Sequence, residues 1–514
     1  MSQEGVLSNK GNKVKLLLIV ILLLGTFLRV YGLGTESFWL DEADTAQAVD
    51  FSTSKIIERT YVNLTLMPEF FGKGGGSLPL YNILVKYWTI IFGLSEFKLR
   101  LFSVLFGVVS IYLIFLIGKF LFNSKIGLIA AFILAINHQQ ISFSQEARLY
   151  SMLVALTLFS AFSLLHALSS NKKAYWAGFV ISSVAMLYTH YFSFFILFFE
   201  GIYTLALWKN NKKLVKEILF SSAIIFILYL PWISAFFRQV FFGPPIGRII
   251  GSPSIFKLIS TLIGFNSWIS PDLNSRIALR AMNFSQLPVL GWILIISVIM
   301  ITILLAGAFI LGLIKSKEGK FSFIYKKNHG IFFLLIWLLI PVLIPFVISL
   351  ISPENAIFSD IRYVLAATPA YYLICACGIF KMRRWKGIFL ALLVIFSISP
   401  LYSYYVNFDT QQWREASEYL HLNRPLDQAL FIQKANGILP LRYYYTIDDN
   451  IITIDTADDF IPALEGKQSF WLVLALEKYS DPKGLVKAYA DSNYNLVQKK
   501  EYNGIKILHY REMR

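Results

Sequence analysis

Cysteine and acidic charge are both scarce in this sequence. The 514 residues include two cysteines, Cys375 and Cys377, and both lie inside an apolar run. This excludes a disulfide framework and a zinc site built from spaced cysteine pairs. Charged residues make up only 15% of the chain, less than we expect for a soluble protein of this length. We also find no internal repeat and no low-complexity tract.

Long apolar runs make up much of the sequence. The chain is 56% hydrophobic, with a mean hydropathy of +0.60. A hydrocarbon core of about 30 Å needs roughly 20 helical residues, so repeated runs of that size predict a polytopic α-helical membrane protein. We predict eleven transmembrane helices, at 14–33, 99–120, 125–143, 150–168, 174–189, 190–208, 214–236, 288–314, 329–350, 362–380 and 386–404.

The net charge of +16 indicates topology, not nucleic-acid binding. From Val406 onward there are 13 Lys/Arg and 15 Asp/Glu, so the positive excess lies in the apolar part of the chain. A loop bias of this kind marks the cytoplasmic side of a membrane. We therefore expect membrane lipids and no nucleic acid among the partners.

The run at 78–94 decides the topology. It is short, rich in aromatic residues and contains Lys86, so we predict a surface helix and not a span. Every short lysine-rich loop then falls on the same side as the N-terminus, which predicts a cytoplasmic N-terminus in the plasma membrane. The first run contains Arg29 and lacks a small-residue cleavage site, so we predict an uncleaved anchor.

Two domains follow from this topology. Residues 1–404 form the predicted transmembrane module, with surface helices in its first outer loop at 34–97. Residues 405–514 form a predicted small extracytoplasmic α/β domain. Its predicted helices and strands are 413–422, 429–433, 451–455, 470–476, 482–493, 496–502 and 505–510, with Asn503-Gly504 as a turn.

Polar residues with possible chemistry gather on the predicted outer side. Asp41 and Glu42 follow the first helix, where one carboxylate could act as a general base on an acceptor hydroxyl or amine. Adjacent residues do not point the same way, so we expect the second acid to support the first. The structural alternative is a solvated helix start, where the helix dipole favours acids.

Cationic and aromatic residues stand in three other outer stretches. Arg148 can bind phosphate with its planar guanidinium, and Tyr150 and Gln145 can add donors. The structural alternative there is an ordinary turn with a Glu146–Arg148 pair. Arg362, beside Tyr363, is either a second phosphate contact or a membrane anchor. His190 and Lys86 are weaker candidates, since a lone histidine is more often structural.

Four motifs together resemble the GT-C superfamily of membrane glycosyltransferases. The closest resemblance is to the protein O-mannosyltransferase-like family (glycosyltransferase family 39), which includes the aminoarabinose transferases. The motifs are Trp39-Leu40-Asp41-Glu42-Ala43, Ser77-Leu78-Pro79-Leu80-Tyr81, Gln145-Glu146-Ala147-Arg148-Leu149-Tyr150, and Arg362-Tyr363 with Pro369. Ser77 departs from the family pattern, which has a first proline near this point.

This resemblance implies an inverting transfer of a hexose or pentose from a polyprenyl-phosphate donor to a lipid, protein or envelope glycan. It implies that Asp41 is the base, that Glu42 supports it, and that Arg148 and Arg362 bind the donor phosphate. We add His190 by position only. Oligosaccharyltransferase relatives use a divalent metal, and the two acids with Glu146 could bind one, but we expect no metal and no other cofactor.

Two other classes of protein stay open as alternatives. A lipid or solute transporter should show broken helices, inverted repeats or charges at the membrane midplane, and the sequence shows none of these. A non-catalytic envelope scaffold would use the C-terminal domain to recruit a partner.

Overall fold

The structure is a computed structural model of the 514-residue chain. It describes residues 3–65, 78–207, 212–242, 254–267, 288–314, 328–353, 357–358, 361–407, 410–447, 450–454, 456–477, 481 and 483–513. Ser77 of the second motif, Asp360 before the fourth, Asp455 of the second predicted strand and Pro482 of a predicted helix lie outside the described residues.

Helices dominate the chain up to residue 406. They are α1 (Gln3–Val30), α2 (Leu40–Ala48), α3 (Thr53–Thr65), α4 (Pro79–Phe92), α5 (Glu96–Leu121), α6 (Ser124–Ile136), α7 (His138–Ser144), α8 (Tyr150–Ser170), α9 (Lys173–Leu187), α10 (Ser193–Ala206), α11 (Lys212–Phe242), α12 (Ile255–Gly264), α13 (Val289–Leu313), α14 (Asn328–Ile351), α15 (Ile361–Val364), α16 (Thr368–Lys381) and α17 (Lys386–Val406). Short 3₁₀ turns cover Leu365–Ala367 and Arg383–Trp385.

The helices form a multi-pass membrane protein. Among the described residues, seven helices are long and apolar enough to cross a membrane, or eight if α6 and α7 count as one bent span. Three further apolar helices, α9, α10 and α12, are shorter. Each of the eleven predicted runs coincides with helix, but the number of spans stays a prediction. The helix α4 has 14 residues and is not among these candidate spans of the described chain.

Two predicted spans are interrupted. The run at 125–143 is not one helix, because α6 and α7 are bent by 63° at Asn137. The run at 362–380 contains the turn Leu365–Ala367 before α16, where Pro369 occupies the first turn. Proline lacks an N–H donor and therefore fits the start of a helix but not its middle.

The chain divides into two compact units. The helical unit comprises Met1–Tyr31, Thr53–Val85 and Arg100–Tyr404. The sheet unit comprises Gly32–Ser52, Lys86–Leu99 and Tyr405–Arg514. The helix that carries Asp41 and Glu42 therefore belongs to the same compact unit as the C-terminal sheet.

A five-stranded sheet forms the centre of the sheet unit. Its strands are β1 (Ala429–Gln433), β2 (Ile451–Ile454), β3 (Ser469–Ala475), β4 (Tyr494–Tyr502) and β5 (Ile505–Glu512), in the order β2-β1-β3-β5-β4. Strand β1 runs parallel to β2 and β3, and β5 runs antiparallel to β3 and β4. The helices are α18 (Trp413–Asn423), α19 (Lys434–Tyr444), α20 (Ala457–Ala463) and α21 (Leu485–Asn493).

Alternate strand residues fill two separate cores, one on each face of the sheet. Trp471 and Ile432 pack in one core with Trp413 of α18. Phe431 packs in the other with Phe460 of α20. Side chains of a strand alternate between the two faces, so helices must cover both faces of a sheet whose central strands β1 and β3 are mostly apolar. The sequence predicted this α/β domain but missed α19 and α20.

Glycines allow a close crossing of α13 and α16 in the helical unit. A Cβ at Gly312 of α13 would lie 2.2 Å from the carbonyl oxygen of Ile374 on α16. A Cβ at Gly378 of α16 would lie 1.8 Å from the carbonyl oxygen of Ala308. Small residues on both helices let the two backbones touch, which is a common way to pack helices in a membrane.

We expect Gly312→Ala to destabilise the helical unit by about 1–3 kcal/mol, because the added methyl group must push the two backbones apart. Gly307→Ala on the same helix is the matched control, since no atom lies within 4 Å of a Cβ there. Thermal unfolding of the full-length protein in detergent measures the difference. Equal unfolding temperatures for the two variants would contradict this packing.

Candidate functional site

The acidic pair lies in the first turn of α2. Trp39, in an extended conformation, precedes this nine-residue helix and provides no side-chain cap. Glu42 is only 1% exposed, whereas Asp41 is half-buried. The acids do start a helix, as the structural alternative expects, but Glu42 is not solvated. Neighbouring helical residues point in directions about 100° apart, so the two carboxylates have different surroundings.

Lys86 holds the other end of α2. Its Nζ donates a hydrogen bond to the carbonyl oxygen of Val49, 3.0 Å away, and Val49 is the residue that ends the helix. A cation at this position compensates the negative end of the helix dipole. Lys86, predicted as a supporting residue, therefore contacts the backbone that follows the acidic helix.

The bend between α6 and α7 is built from polar groups. The side chain of Asn137 caps α7 by accepting from the N–H of Gln140, at 3.1 Å. Its amide nitrogen donates to the carbonyls of Phe265 and Asn266, at 3.1 and 2.9 Å. Because a backbone break inside an apolar bundle exposes unpaired groups, it persists only where other groups satisfy them. The expectation of unbroken helices is wrong here.

Arg29 of α1 donates hydrogen bonds to the backbone carbonyls on the α6 side of this bend. It is completely buried, and its guanidinium donates to the carbonyls of Leu134 and Ala135 in the last turn of α6, at 3.0 Å each. It also donates to Ser144 Oγ at 3.2 Å. A helix leaves its last carbonyls without partners, and Arg29 supplies both hydrogen bonds and positive charge there.

Gln145 donates hydrogen bonds to backbone carbonyls at the end of α1. Its amide donates to the carbonyls of Arg29 and Tyr31, at 3.0 and 2.7 Å. Both amide hydrogens are thereby used within the protein, so the expectation that Gln145 could contact a ligand as a donor is wrong. The start of the third motif is thus fixed to the end of the first helix.

A serine joins the second motif to the third. Ser103 Oγ donates to the carbonyl oxygen of Arg148 at 3.0 Å, and Tyr81 Oη lies 2.7 Å from the same Oγ. A serine hydroxyl has one hydrogen, so Tyr81 is the donor in the second bond. The backbone N–H of Leu80 donates to the carbonyl of Tyr188, 3.2 Å away, just before the His190 turn. Sequence reasoning missed Ser103, which has no unusual context.

The fourth motif lies beside the third. The Arg362 guanidinium carbon is 5.9 Å from the centre of the Tyr150 ring, which is a cation–π distance. The Tyr363 ring lies 5.5 Å from the imidazole of His190 and stacks on Phe192 at 5.3 Å. Four residues predicted on the outer side, from three separate parts of the chain, are therefore neighbours in the helical unit.

The imidazole of His190 accepts one hydrogen bond from the backbone. The backbone N–H of Phe192 donates to Nδ1 at 3.1 Å, so the imidazole proton is on Nε2. His190 therefore presents a neutral N–H donor, and the charge in this neighbourhood comes from Arg148 and Arg362.

The predicted site residues fall into two groups. The helical unit contains Glu146, Arg148, Tyr150, His190, Arg362 and Tyr363, and the sheet unit contains Asp41, Glu42 and Lys86. Arg148 is 4% exposed, so an anion that reached its guanidinium would be bound in a largely dry environment. Among the described residues there is no group of three or more His, Cys, Asp or Glu placed to hold a metal ion.

Comparison with known protein families gives a match to part of the chain. Residues 77–234 match the family described as dolichyl-phosphate-mannose-protein mannosyltransferase. This segment contains the second and third motifs and His190. No curated protein matches the sequence of the chain.

Solved structures with similar folds cover almost the whole chain. The archaeal oligosaccharyltransferase AglB from Archaeoglobus fulgidus, in complex with an inhibitory peptide and a dolichol-phosphate, is 14% identical over 98% of this chain and 75% of that chain, with a TM-score of 0.51. The same oligosaccharyltransferase with Zn and sulfate is 15% identical over 96% and 73%, with a TM-score of 0.52. The chain therefore shares the GT-C fold of these structures, and residues 77–234 match the mannosyltransferase family.

A third GT-C structure is of nearly the same length. ArnT from Cupriavidus metallidurans, bound to undecaprenyl phosphate, is 13% identical over 97% of this chain and 98% of that chain, with a TM-score of 0.47.

We expect Arg29→Ala to destabilise the full-length protein by about 3 kcal/mol or more, because it leaves buried carbonyls of α6 unpaired. Arg384→Ala is the matched control, since that side chain is exposed. Thermal unfolding in detergent compares the two. If Arg29→Ala unfolded at the temperature of the control, Arg29 would not hold the bend.

Proposed function

We propose that the chain transfers a sugar from a polyprenyl-phosphate donor to an acceptor on the extracytoplasmic face of the plasma membrane. The fold, the mannosyltransferase segment and the arrangement of the cationic motifs support this proposal. The family is named for a dolichyl-phosphate-mannose donor, and the AglB structure contains a dolichol-phosphate. The acceptor is a lipid, a protein or an envelope glycan, and the sugar is a hexose or a pentose.

The observation that carries the proposal is the neighbourhood of Arg148, Arg362 and the neutral His190. When the bond between the sugar and the carrier phosphate breaks, negative charge develops on the leaving phosphate. Guanidinium groups that contact that charge lower the barrier, and one such donor is typically worth about 10²–10³ in rate. The Nε2–H of His190 adds a hydrogen bond without adding charge. Such cations can stabilise the leaving group without a metal.

The acceptor side of the reaction needs a base. We assign this role to Asp41, which would accept the proton of the acceptor hydroxyl or amine as its oxygen or nitrogen attacks the anomeric carbon. The bond to the phosphate breaks with inversion, and the polyprenyl phosphate leaves with its electron pair. The buried Glu42 supports this step by positioning Asp41 or the acceptor.

Loop charge supports the proposed orientation. Lys10, Lys13 and Lys15 lie at or just before the start of the first apolar run, and later lysine-rich loops are predicted on the same side. This places the N-terminus in the cytoplasm and the acidic and cationic motifs on the outer side. Polyprenyl-phosphate donors are membrane lipids. Their prenyl chain can bind against the apolar helices, a surface that a soluble enzyme would lack.

Asp41→Asn tests the base directly. We expect at least about a 100-fold loss of transfer, because asparagine cannot take up the proton. The matched control is Asp44→Asn, which changes another half-buried acid of the same helix. Mass spectrometry of envelope lipids and glycoproteins from a deletion strain, complemented with each variant, measures the product.

Two outcomes decide the proposal. Loss of one envelope product in Asp41→Asn, with Asp44→Asn equal to wild type, agrees with it. If Asp41→Asn reaches the membrane in normal amount and the product persists, Asp41 is not the base.

A further inference from the structure

The segment before Asp41 is attached to the C-terminal domain at several points, all within the sheet unit. Phe38 is completely buried, and its backbone N–H donates to Tyr444 Oη at 2.7 Å. Its ring packs edge-on against Tyr443, with ring centres 5.0 Å apart. Both tyrosines lie in the last turn of α19, so the domain holds the chain three residues before the proposed base.

One carboxylate oxygen ties this contact to two other parts of the sheet unit. Tyr444 Oη donates to Glu96 Oε1 at 2.9 Å. Arg414 donates to the same oxygen from Nη2 at 2.5 Å and from Nε at 3.2 Å. Tyr444, Glu96 and Arg414 form what we call the anchor node. Charge-assisted bonds that share one oxygen are stronger and better oriented than neutral ones.

Arg414 also reaches the backbone that leads into α2. Its Nη1 donates to the carbonyl of Thr35 at 3.2 Å, and its backbone N–H donates to Ser37 Oγ at 3.0 Å. Thr410 Oγ1 donates to Glu36 Oε2 at 2.8 Å. Each residue from Thr35 to Phe38 therefore has a partner in the C-terminal domain.

The helix that follows has little to hold it in place by itself. A helix of nine residues is marginal in isolation, and α2 has no side-chain N-cap. Packing of α2 on α19, together with the anchor node at the start of α2, supplies the stabilisation that the sequence of α2 lacks. Lys86 restrains the other end through Val49.

We propose that the C-terminal domain, through Tyr444 and Arg414 and their shared partner Glu96, sets the position of Asp41 and Glu42. This deepens the proposed function and rests on it. The three are positioning residues, which act through α2 and need not touch substrate. The domain then takes part in transfer although it contributes no reacting group.

Tyr444→Phe is the sharpest variant, because it keeps the ring and removes the hydroxyl that joins Phe38 to Glu96. Tyr419→Phe in α18 is the matched control, since its ring packs with Trp471 and Tyr502 in the same domain. Hydrogen exchange of the full-length protein measures the backbone amides of residues 38–48. We expect exchange at least about 10-fold faster in Tyr444→Phe and unchanged in the control.

Activity in the complemented deletion strain gives the second measurement. A misplaced reacting group can cost up to about 100-fold in rate, so we expect Tyr444→Phe to lower product formation by about 10-fold or more. Binding of undecaprenyl phosphate should change by less than about twofold, because the node contributes nothing to donor affinity. A general loss of structure would instead lower product formation and undecaprenyl phosphate binding in parallel.

The outcomes separate this inference from the proposed function. If Tyr444→Phe leaves both the exchange of residues 38–48 and the product unchanged while Asp41→Asn abolishes the product, the positioning role is wrong and the base stands. If Asp41→Asn keeps the product, the proposed base itself is wrong. If Tyr444→Phe does not accumulate, Arg414→Lys replaces it. Lysine keeps the charge but cannot form the same set of bonds, so it must show the same faster exchange.

Discussion

The carbonyl groups at the end of α6 impose the strongest constraint on the helical unit. They lie in an apolar bundle, where an unpaired carbonyl costs several kcal/mol. Arg29 pairs with Leu134 and Ala135, and Asn137 caps the helix that follows the break. This satisfied bend directs the chain into the turn that carries Arg148. A straight span would continue through that position, so the cationic motif depends on a buried arginine more than a hundred residues earlier.

Both units use the same physical device, in which a fixed polar contact positions a short segment. In the helical unit, Ser103 holds the backbone of Arg148, and the Phe192 N–H fixes the His190 imidazole with its proton on Nε2. In the sheet unit, Tyr444 holds the backbone of Phe38 ahead of the acidic helix. The groups proposed to react are therefore few, and most of the polar contacts around them serve orientation. Such preorganisation lets charges stabilise a developing charge without moving during the reaction.

Hydropathy predicted where helices occur, since a membrane leaves the backbone few alternatives. It missed the bend at Asn137, because apolar residues outweigh a short polar stretch when a whole run is averaged. Alternation and the Asn503-Gly504 turn predicted β4 and β5, and Gly504 has the positive φ of +72° that such a turn requires. Helices α19 and α20 were missed because Pro440 and Pro462 argue against helix. The anchor node could not be predicted from local sequence patterns, because Glu96 and Arg414 are 318 positions apart in the chain.

Selective binding of a lipid phosphate by the helical unit is the central claim, and equilibrium binding to the full-length protein tests it most directly. Undecaprenyl phosphate and undecaprenol differ only in the phosphate, so the ratio of their affinities isolates the contribution of the cations. We expect wild type to bind the phosphate at least about 10-fold more tightly than the alcohol, and Arg148→Ala combined with Arg362→Ala to lose that preference. Equal preference in wild type and the double variant would contradict the account.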